Sequence, residues 1–257
     1  MAYTDIDDPS AYFQTRIFTG NENTLAVTFD GNSDLQPDWV WIKNRADNYN
    51  HSLFDSVRGV TKRIATNNDA IEATVAASLT AFNSNGFSLG NDTTANADGD
   101  SHVSWNWKAG TSVSGNTSGS GTAKAYTGSV NTDAGFSIIR HLGNDTAGHT
   151  IPHHLGAVPK MIIGHGISGS DTTSWTVYHH SLGNTHTISL NEQGAAADSS
   201  VWNDTTPTSS VISLGSSGNV NDADDAFILY SFAEKQGYSK FDSYIGNGAS
   251  DDGTVVY

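Results

Sequence analysis

The sequence predicts an all-β fold built from two antiparallel β-sandwich domains in tandem, and three observations carry that expectation. Short runs of alternating apolar and polar residues are repeatedly interrupted by Gly, Asn and Asp, the mark of strands joined by tight turns. The stretch Pro37-Asp38-Trp39-Val40-Trp41-Ile42-Lys43 carries apolar side chains at both parities. Neighbours on a strand point to opposite faces, so such a strand is covered on both. The same pattern returns as Pro159-Lys160-Met161-Ile162-Ile163, which makes that strand one of a pair.

Taken in order, residues 1–10 are polar and acidic and read as an ordered or tethering arm. The first domain is expected over 11–109. Tyr12–Phe18 and Thr24–Phe29 run into Thr19-Gly20-Asn21 and Asp30-Gly31-Asn32, a hairpin pattern. The central strand follows at 38–43, where the leading proline suits a first position that needs no ladder donor. Leu53–Gly59 is the next extended run. In 69–79, Ile71, Val75 and Leu79 recur at helical spacing while Thr and Val content favours strand, so both states stay open. Leu79–Phe82 and Phe87–Leu89 flank Asn83-Ser84-Asn85-Gly86 as a further hairpin. Val103, Trp105 and Trp107 alternate on one buried face and close the unit.

Residues 110–121 are almost wholly Gly, Ser and Thr, which reads as a flexible linker. The second domain, 122–242, repeats the first. Tyr126-Thr127-Gly128 answers Phe18-Thr19-Gly20, and Pro159–Ile163 answers Pro37–Trp41. Tyr178–Ser181 answers Leu53–Ser56, Val211–Gly215 answers Gly86–Gly90, and Ile228–Phe232 answers Val103–Trp107. Blocks matched in one order at a nearly constant offset define an internal repeat of domain size. A jelly-roll or concanavalin-like topology fits such units. Residues 243–257 read as the start of a third repeat, or as a hairpin closing the second sheet.

Composition narrows the function. Acids outnumber bases 27 to 12, giving a net charge of −15, which opposes binding to nucleic acid or anionic membranes. Without cysteine there are no disulfides and no thiolate zinc sites. The first residues lack the basic and apolar regions of a signal peptide, so Sec export is not expected, and no apolar run approaches the ~18 residues of a membrane helix.

Several stretches are similar to a repeat family of tailed-bacteriophage structural proteins, particularly marine ones. They are Asp7–Gln14, Asp34–Arg45, Asp55–Gly59, Phe82–Phe87 and, in the second copy, Phe232–Phe241. The resemblance spans nearly the whole chain. It implies a non-enzymatic virion protein displayed as a tail fibre or as decoration on the capsid or tail, with other virion proteins as partners. It also implies a homo-oligomer, a trimer being common among phage fibres, and no cofactor. A glycan-binding adhesin that recognises a host cell-surface glycan is the rival reading. Members of the family often continue with a further Pro-led strand.

The chemistry-bearing residues point to no catalytic, metal or cofactor site. Eight of ten histidines fall between His141 and His186, including His153-His154 and His179-His180, but neither HExxH nor His-x-His spacing occurs. Acidic turns at Asn96–Asp100, Asn221–Asp225 and Asp251–Gly253 lack the EF-hand spacing and suit turn chemistry. No Gly-x-Ser-x-Gly elbow exists. Only four glutamates are present (Glu22, Glu72, Glu192, Glu234), with no pairing for glycoside cleavage. Among the tryptophans, Trp39, Trp41, Trp105 and Trp107 alternate within strands, and at least half of them are expected in the core. Trp175 and Trp202, beside polar loops, are the better candidates for a binding surface, although neither is assigned as a site. Asn-x-Ser/Thr sequons at Asn91, Asn116, Asn144 and Asn203 carry no meaning without eukaryotic export.

Overall fold

The computed structural model describes residues 4–169 and 173–248. It is almost entirely β. The first half contains β1 (Phe13–Thr19), β2 (Leu25–Thr28), β3 (Trp39–Asn44), β4 (Ser52–Asp55) and β5 (Lys62–Ala65). β6 (Ala73–Thr74), β7 (Leu79–Asn83), β8 (Gly86–Leu89) and β9 (Ser101–Trp107) complete it. The second half runs through β10 (Thr111–Asn116), β11 (Ser118–Gly119), β12 (Ala125–Asn131), β13 (Phe136–Leu142), β14 (His149–Pro152) and β15 (Met161–Gly166). β16 (Thr176–His179), β17 (His186–Ser189), β18 (Ala197–Asp198), β19 (Val211–Leu214) and β20 (Ala226–Phe232) follow. The helices are single turns, α1 (Thr93–Asn96) and α2 (Gly218–Asn221), capped by Asp92 and Ser217 respectively.

These strands form four antiparallel sheets. The large sheet of the first half has the order β1-β9-β3-β4-β5-β6, and that of the second half β10-β12-β13-β20-β15-β16-β17-β18. From β13 onward the second order repeats the first strand for strand. The three-stranded sheets, β2-β8-β7 and β11-β14-β19, share the pairs β2–β8 and β14–β19. Registers match too: Phe13↔Trp107↔Trp39 in one half corresponds to Phe136↔Phe232↔Met161 in the other. The two double-sided strands, β3 and β15, therefore occupy equivalent central places.

Alternation assigns the faces. Val40 and Ile42 join Val27, Phe54, Phe87 and Leu89 in a core between the first half's large and small sheets. Ile162, Leu229, Ile151, Ile212 and Leu214 form its counterpart in the second half. A third core lies between the halves. Trp39, Leu53 and Ile64 of the first half pack there against Phe136, Ile138, Ile163, Val177, Ile228, Tyr230 and Phe232 of the second. Each fully buried Phe or Leu contributes about 1.5–3 kcal/mol through apolar burial, so this seam is a substantial part of the fold.

Several expectations change. Residues 110–121 are not a flexible linker: 111–116 form β10, which pairs along β12, and β11 joins β14. A Gly/Ser/Thr run suffices there because an edge strand is held by its backbone ladder, and all of β10 except Val113 is exposed. Residues 69–79 form no helix, only the short β6 and turns. The block Phe18-Thr19-Gly20 corresponds to His141-Leu142-Gly143 rather than to Tyr126-Thr127-Gly128, since β1 is the counterpart of β13. Register also equates Phe54 with Tyr178, one position from the match Leu53–Tyr178. The arm docks on the second half, with Ile6 buried and Asp5 N donating to Gln236 O at 3.0 Å. Residues 240–248 belong to no strand and do not extend the second sheet, and the remainder of the expected third repeat or hairpin, 249–257, lies outside the described residues.

Candidate functional site

At one end of the seam the aromatic rows leave a cleft of about 260 Å³. Strand alternation builds it: odd residues of β1 and β9 and the tryptophans of β3 face the second half. Phe13, Trp107 and Trp39 form a row with ring centroids 4.4 and 4.6 Å apart. Trp39 then meets Tyr230, Phe136 and Phe232 at 5.1, 5.6 and 5.7 Å, normal spacings for packed aromatic pairs. Met161, Ile163, Tyr238 and Phe241 complete the wall.

The wall also holds unsatisfied donors. The indole N–H groups of Trp39 and Trp41 and the hydroxyl of Tyr238 are buried and have no partner among the described residues. Each such group costs about 1–3 kcal/mol relative to a satisfied one. Burial, with Tyr12 nearby, pushes the Tyr238 hydroxyl up to about 12, so it stays a protonated donor. These donor atoms are themselves buried, so what the cleft offers a ligand is its apolar ring face.

A polar groove of about 580 Å³ runs along the seam, lined by Gln36, Asp38, Ser112, Ser114, Thr127 and Ser129 among others. Its chemistry is spoken for. Asp38 accepts from Ser56 Oγ at 2.6 Å and from Ala109 N at 2.9 Å. Burial nevertheless holds its pKa above the ordinary carboxylate value, against the pull of Ser56 and Ala109. Deeper in, Arg58 donates from Nε to Asp55 Oδ2 at 2.5 Å and from Nη1 to Lys62 O at 2.8 Å. The Tyr230 hydroxyl, from the other half, donates to the same Asp55 Oδ2 at 2.7 Å. Burial opposes the Arg58 charge, but Asp55, Tyr230 and Glu72 together outweigh it and keep the guanidinium charged. Burial, reinforced by Asp55, raises Tyr230 well above its usual value. A proton is thus fixed on every member able to donate, which makes the group a structural tie between the halves.

Half of the ten histidines are core. His102, His141, His149, His153 and His165 are buried. His149 bonds Asn221 Oδ1 and Thr117 Oγ1 at 2.7 and 2.6 Å. His165 stacks on Trp175 at 4.2 Å and reaches Ala70 O at 3.1 Å across the seam. Burial pushes His141 down to about 3 and His165 to about 4, so both rings are neutral. The acidic segments before β9 and β20 are helix ends rather than hairpin turns. Asn96 and Asn221 anchor them, donating to Gly90 O and Gly215 O and accepting from the backbone N–H of Asn21 and Asn144. Asp100 accepts from Asn44 at 2.7 Å, and Asp224 pairs with Lys124. Asp251–Gly253 lies outside the described residues. Among those described, no three His, Asp or Glu side chains converge in a metal-binding group.

The tryptophan expectation is inverted. Trp175 and Trp202 are wholly buried, and Trp175 Nε1 donates to Ala65 O at 2.9 Å. Their polar flanking loops fold back over them. Trp41, Trp105 and Trp107 are instead half-buried, with Trp41 and Trp107 lining the cleft. The signal for this was the alternation itself, which marks a face as apolar without saying how much of it a partner covers.

A family profile described as a domain of unknown function (DUF7483) matches residues 8–257. The chain belongs to the DUF7483 family. No curated protein and no solved structure matches it. The match takes in both halves, so the seam, the cleft and the Asp55–Arg58–Tyr230 tie all fall within one DUF7483 unit.

Proposed function

We propose that the chain is a non-enzymatic structural protein of a tailed-phage virion, displayed on the particle as a tail fibre or as capsid or tail decoration. In this reading the two halves are tandem β-sandwich units of jelly-roll or concanavalin-like type. They act by packing and display, and the chain assembles with other virion proteins and with copies of itself. The supporting observation is the third core. Burying the inner faces of both large sheets against each other turns a repeat into one stiff body, a mechanical property that display requires and chemistry does not. The resemblance of Asp34–Arg45 and the other quoted stretches adds the particle. Mass spectrometry of purified particles from a host carrying this sequence, with antibody labelling in electron micrographs, tests it. Labelling at the surface is the expected result; a chain absent from washed particles overturns the reading.

One observation favours a second reading, a glycan-binding adhesin. The aromatic cleft, walled by Phe13, Trp41 and Trp107, presents an apolar ring surface of the kind on which the apolar face of a pyranose stacks. Titration with a panel of host oligosaccharides checks it: Trp41→Ala should abolish binding while leaving the folded state intact. Trp175→Ala and Trp202→Ala are unsuitable probes, because both rings are core.

A further inference from the structure

The inner face of the second half's large sheet changes chemistry at β12. Side chains of residues paired across a ladder share a face, so two rows cross the strands side by side. One runs Ile163, Tyr230, Ile138, Ser129, Ser112, and the next His165, Ile228, Arg140, Thr127, Ser114. Ile163, Tyr230, Ile138 and Ile228 belong to the seam core, whereas Thr127, Ser112 and Ser114 are exposed. Arg140 stands at the change from apolar to hydroxyl-bearing side chains. The repeat does not call for it, because the equivalent place in β1 holds Ile17. A half-buried arginine beside isoleucines costs stability unless its charge meets a partner.

Arg140 lines a pocket of about 380 Å³ walled by both halves. Arg58, Lys62 and Glu72 come from the first half, and Thr127 and Ser168 from the second. Val57 and Thr127 also wall the polar groove, so the two spaces adjoin. Three of the chain's twelve basic residues meet in this wall, and among its described residues Glu72 is the one acid. Glu72 pairs with both Arg58 and Lys62, and Asp55 holds Arg58 from behind. Among these groups three cations against two carboxylates leave one positive charge, at Arg140, in a chain of net charge −15.

The turn that delivers Arg58 and Lys62 is strained. Thr61, directly before Lys62, has φ 66°, a left-handed conformation that costs a β-branched residue about 1–3 kcal/mol. Two backbone bonds hold it there, from Thr61 N to Leu79 O at 2.9 Å and from Val75 N to Thr61 O at 2.8 Å. Strain of this kind gathers at binding sites. A guanidinium presents parallel N–H groups to a carboxylate. Hydroxyls beside it donate and accept at once, as the hydroxyls of a sugar ring require. The pocket has the volume of a small-ligand site.

We propose that this pocket binds a saccharide bearing one carboxylate. Arg140 takes the carboxylate in a two-pronged bond, and Thr127, with Ser114 beside it, takes ring hydroxyls toward the adjoining groove. The pocket shares no wall residue with the aromatic cleft, so the inference stands whatever that cleft binds and wherever the chain is displayed.

Isothermal titration of the full chain with glucuronate, glucose and acetate, with amide shifts read at Lys62, Thr127 and Ser168, tests it. Glucuronate should bind saturably and move those three amides. Glucose should not bind, and acetate should bind at least about tenfold more weakly than glucuronate, equivalent to about 1.4 kcal/mol. Arg140→Ile, which suits the apolar row, should keep the fold and weaken glucuronate by at least the same factor. Should that variant unfold, Arg140→Gln serves in its place with the same expected loss. Thr127→Val, at an exposed strand position, should weaken glucuronate about threefold and leave acetate unchanged. A wild type that binds no glucuronate overturns the proposal, as does binding insensitive to Arg140. Equal affinity for glucose and glucuronate removes the carboxylate, and equal affinity for acetate and glucuronate, or no effect of Thr127→Val, removes the sugar; each overturns it.

Discussion

In the N-terminal half Phe18 on β1 stacks over His102 on β9 at 5.2 Å; in the C-terminal half His141 on β13 stacks over Phe227 on β20 at 5.5 Å. The positions are equivalent and the residue types are exchanged. The fold needs two flat rings of suitable volume at that place and accepts either order, as packing arguments anticipate for volume-conserving exchanges. Asn96 and Asn221 behave differently. They occupy equivalent helix ends, make the same bonds to equivalent glycine carbonyls and are the same amino acid. A donor–acceptor set with fixed directions leaves no alternative side chain. The seam shows a third behaviour. Asp55, facing Tyr230, is matched in the second half by His179, which is partly exposed and faces no such partner. Duplicated shape persists where packing or bonding geometry demands it, and chemistry diverges where a position meets the other half.

This comparison is sharpest at the tie between the halves. Arg58→Ala should cost about 3–5 kcal/mol, because it strands the buried Asp55 carboxylate. Chemical denaturation monitored by tryptophan fluorescence would measure it. A loss below about 1 kcal/mol would mean that Asp55 is not held in a dry seam.

Acid should weaken the C-terminal half first. His141 and His165 protonate near 3 and 4 when folded, against 6.5 in an unfolded chain. Below pH 6.5 the unfolded state binds more protons, so stability is full above that value and falls as pH drops toward the folded values. Each histidine contributes a loss of about 1.4 kcal/mol per pH unit, or about 2 kcal/mol between pH 6.5 and 5. Hydrogen exchange at the two pH values should show β13 and β15 losing protection before β1 and β3.

Asn96→Ala and Asn221→Ala should each cost about 2 kcal/mol, from orphaning the same buried backbone groups. Asn221→Ala should cost the more in thermal melts, since it also removes the bond to His149; equal losses would show that this bond contributes nothing. The smallest effect belongs to the exchanged ring pair. Phe18→His combined with His102→Phe should be nearly neutral, within about 1 kcal/mol, while each single change costs more. Additive singles would break the idea of a position pair.

The double-sided strands and the repeated blocks were legible in the order of residues, because a period of two marks opposite faces directly. Trp39 and Met161, with their neighbours, stand where that pattern puts them. The strand at 111–116 was not legible, since an edge strand needs backbone partners and no apolar side chains. Trp175 and Trp202 misled for the converse reason: a polar loop beside an aromatic residue says nothing about whether that loop folds back over it. The match of Tyr126-Thr127-Gly128 to Phe18-Thr19-Gly20 misled because a short Tyr/Phe-Thr-Gly string suits the end of more than one strand.

The cleft was partly legible, as an aromatic stripe of Trp39, Trp41, Trp105 and Trp107. Its opening was not. How far one sheet overlaps another depends on the angle and offset at which they meet, and no residue spacing within either sheet records that.

By itself the sequence determined an all-β chain whose two halves each have a central strand apolar on both faces, because alternation and turn residues act locally. Only the tertiary structure decided what covers the second face of each large sheet. The answer, each other, leaves three half-covered tryptophans and a β1 edge with which no described strand pairs. Period-two patterning demands that an apolar face be buried, and many partners satisfy the demand equally well. The choice among them is made by shape, and by a few long-range bonds such as Tyr230 to Asp55, between residues that lie far apart along the chain.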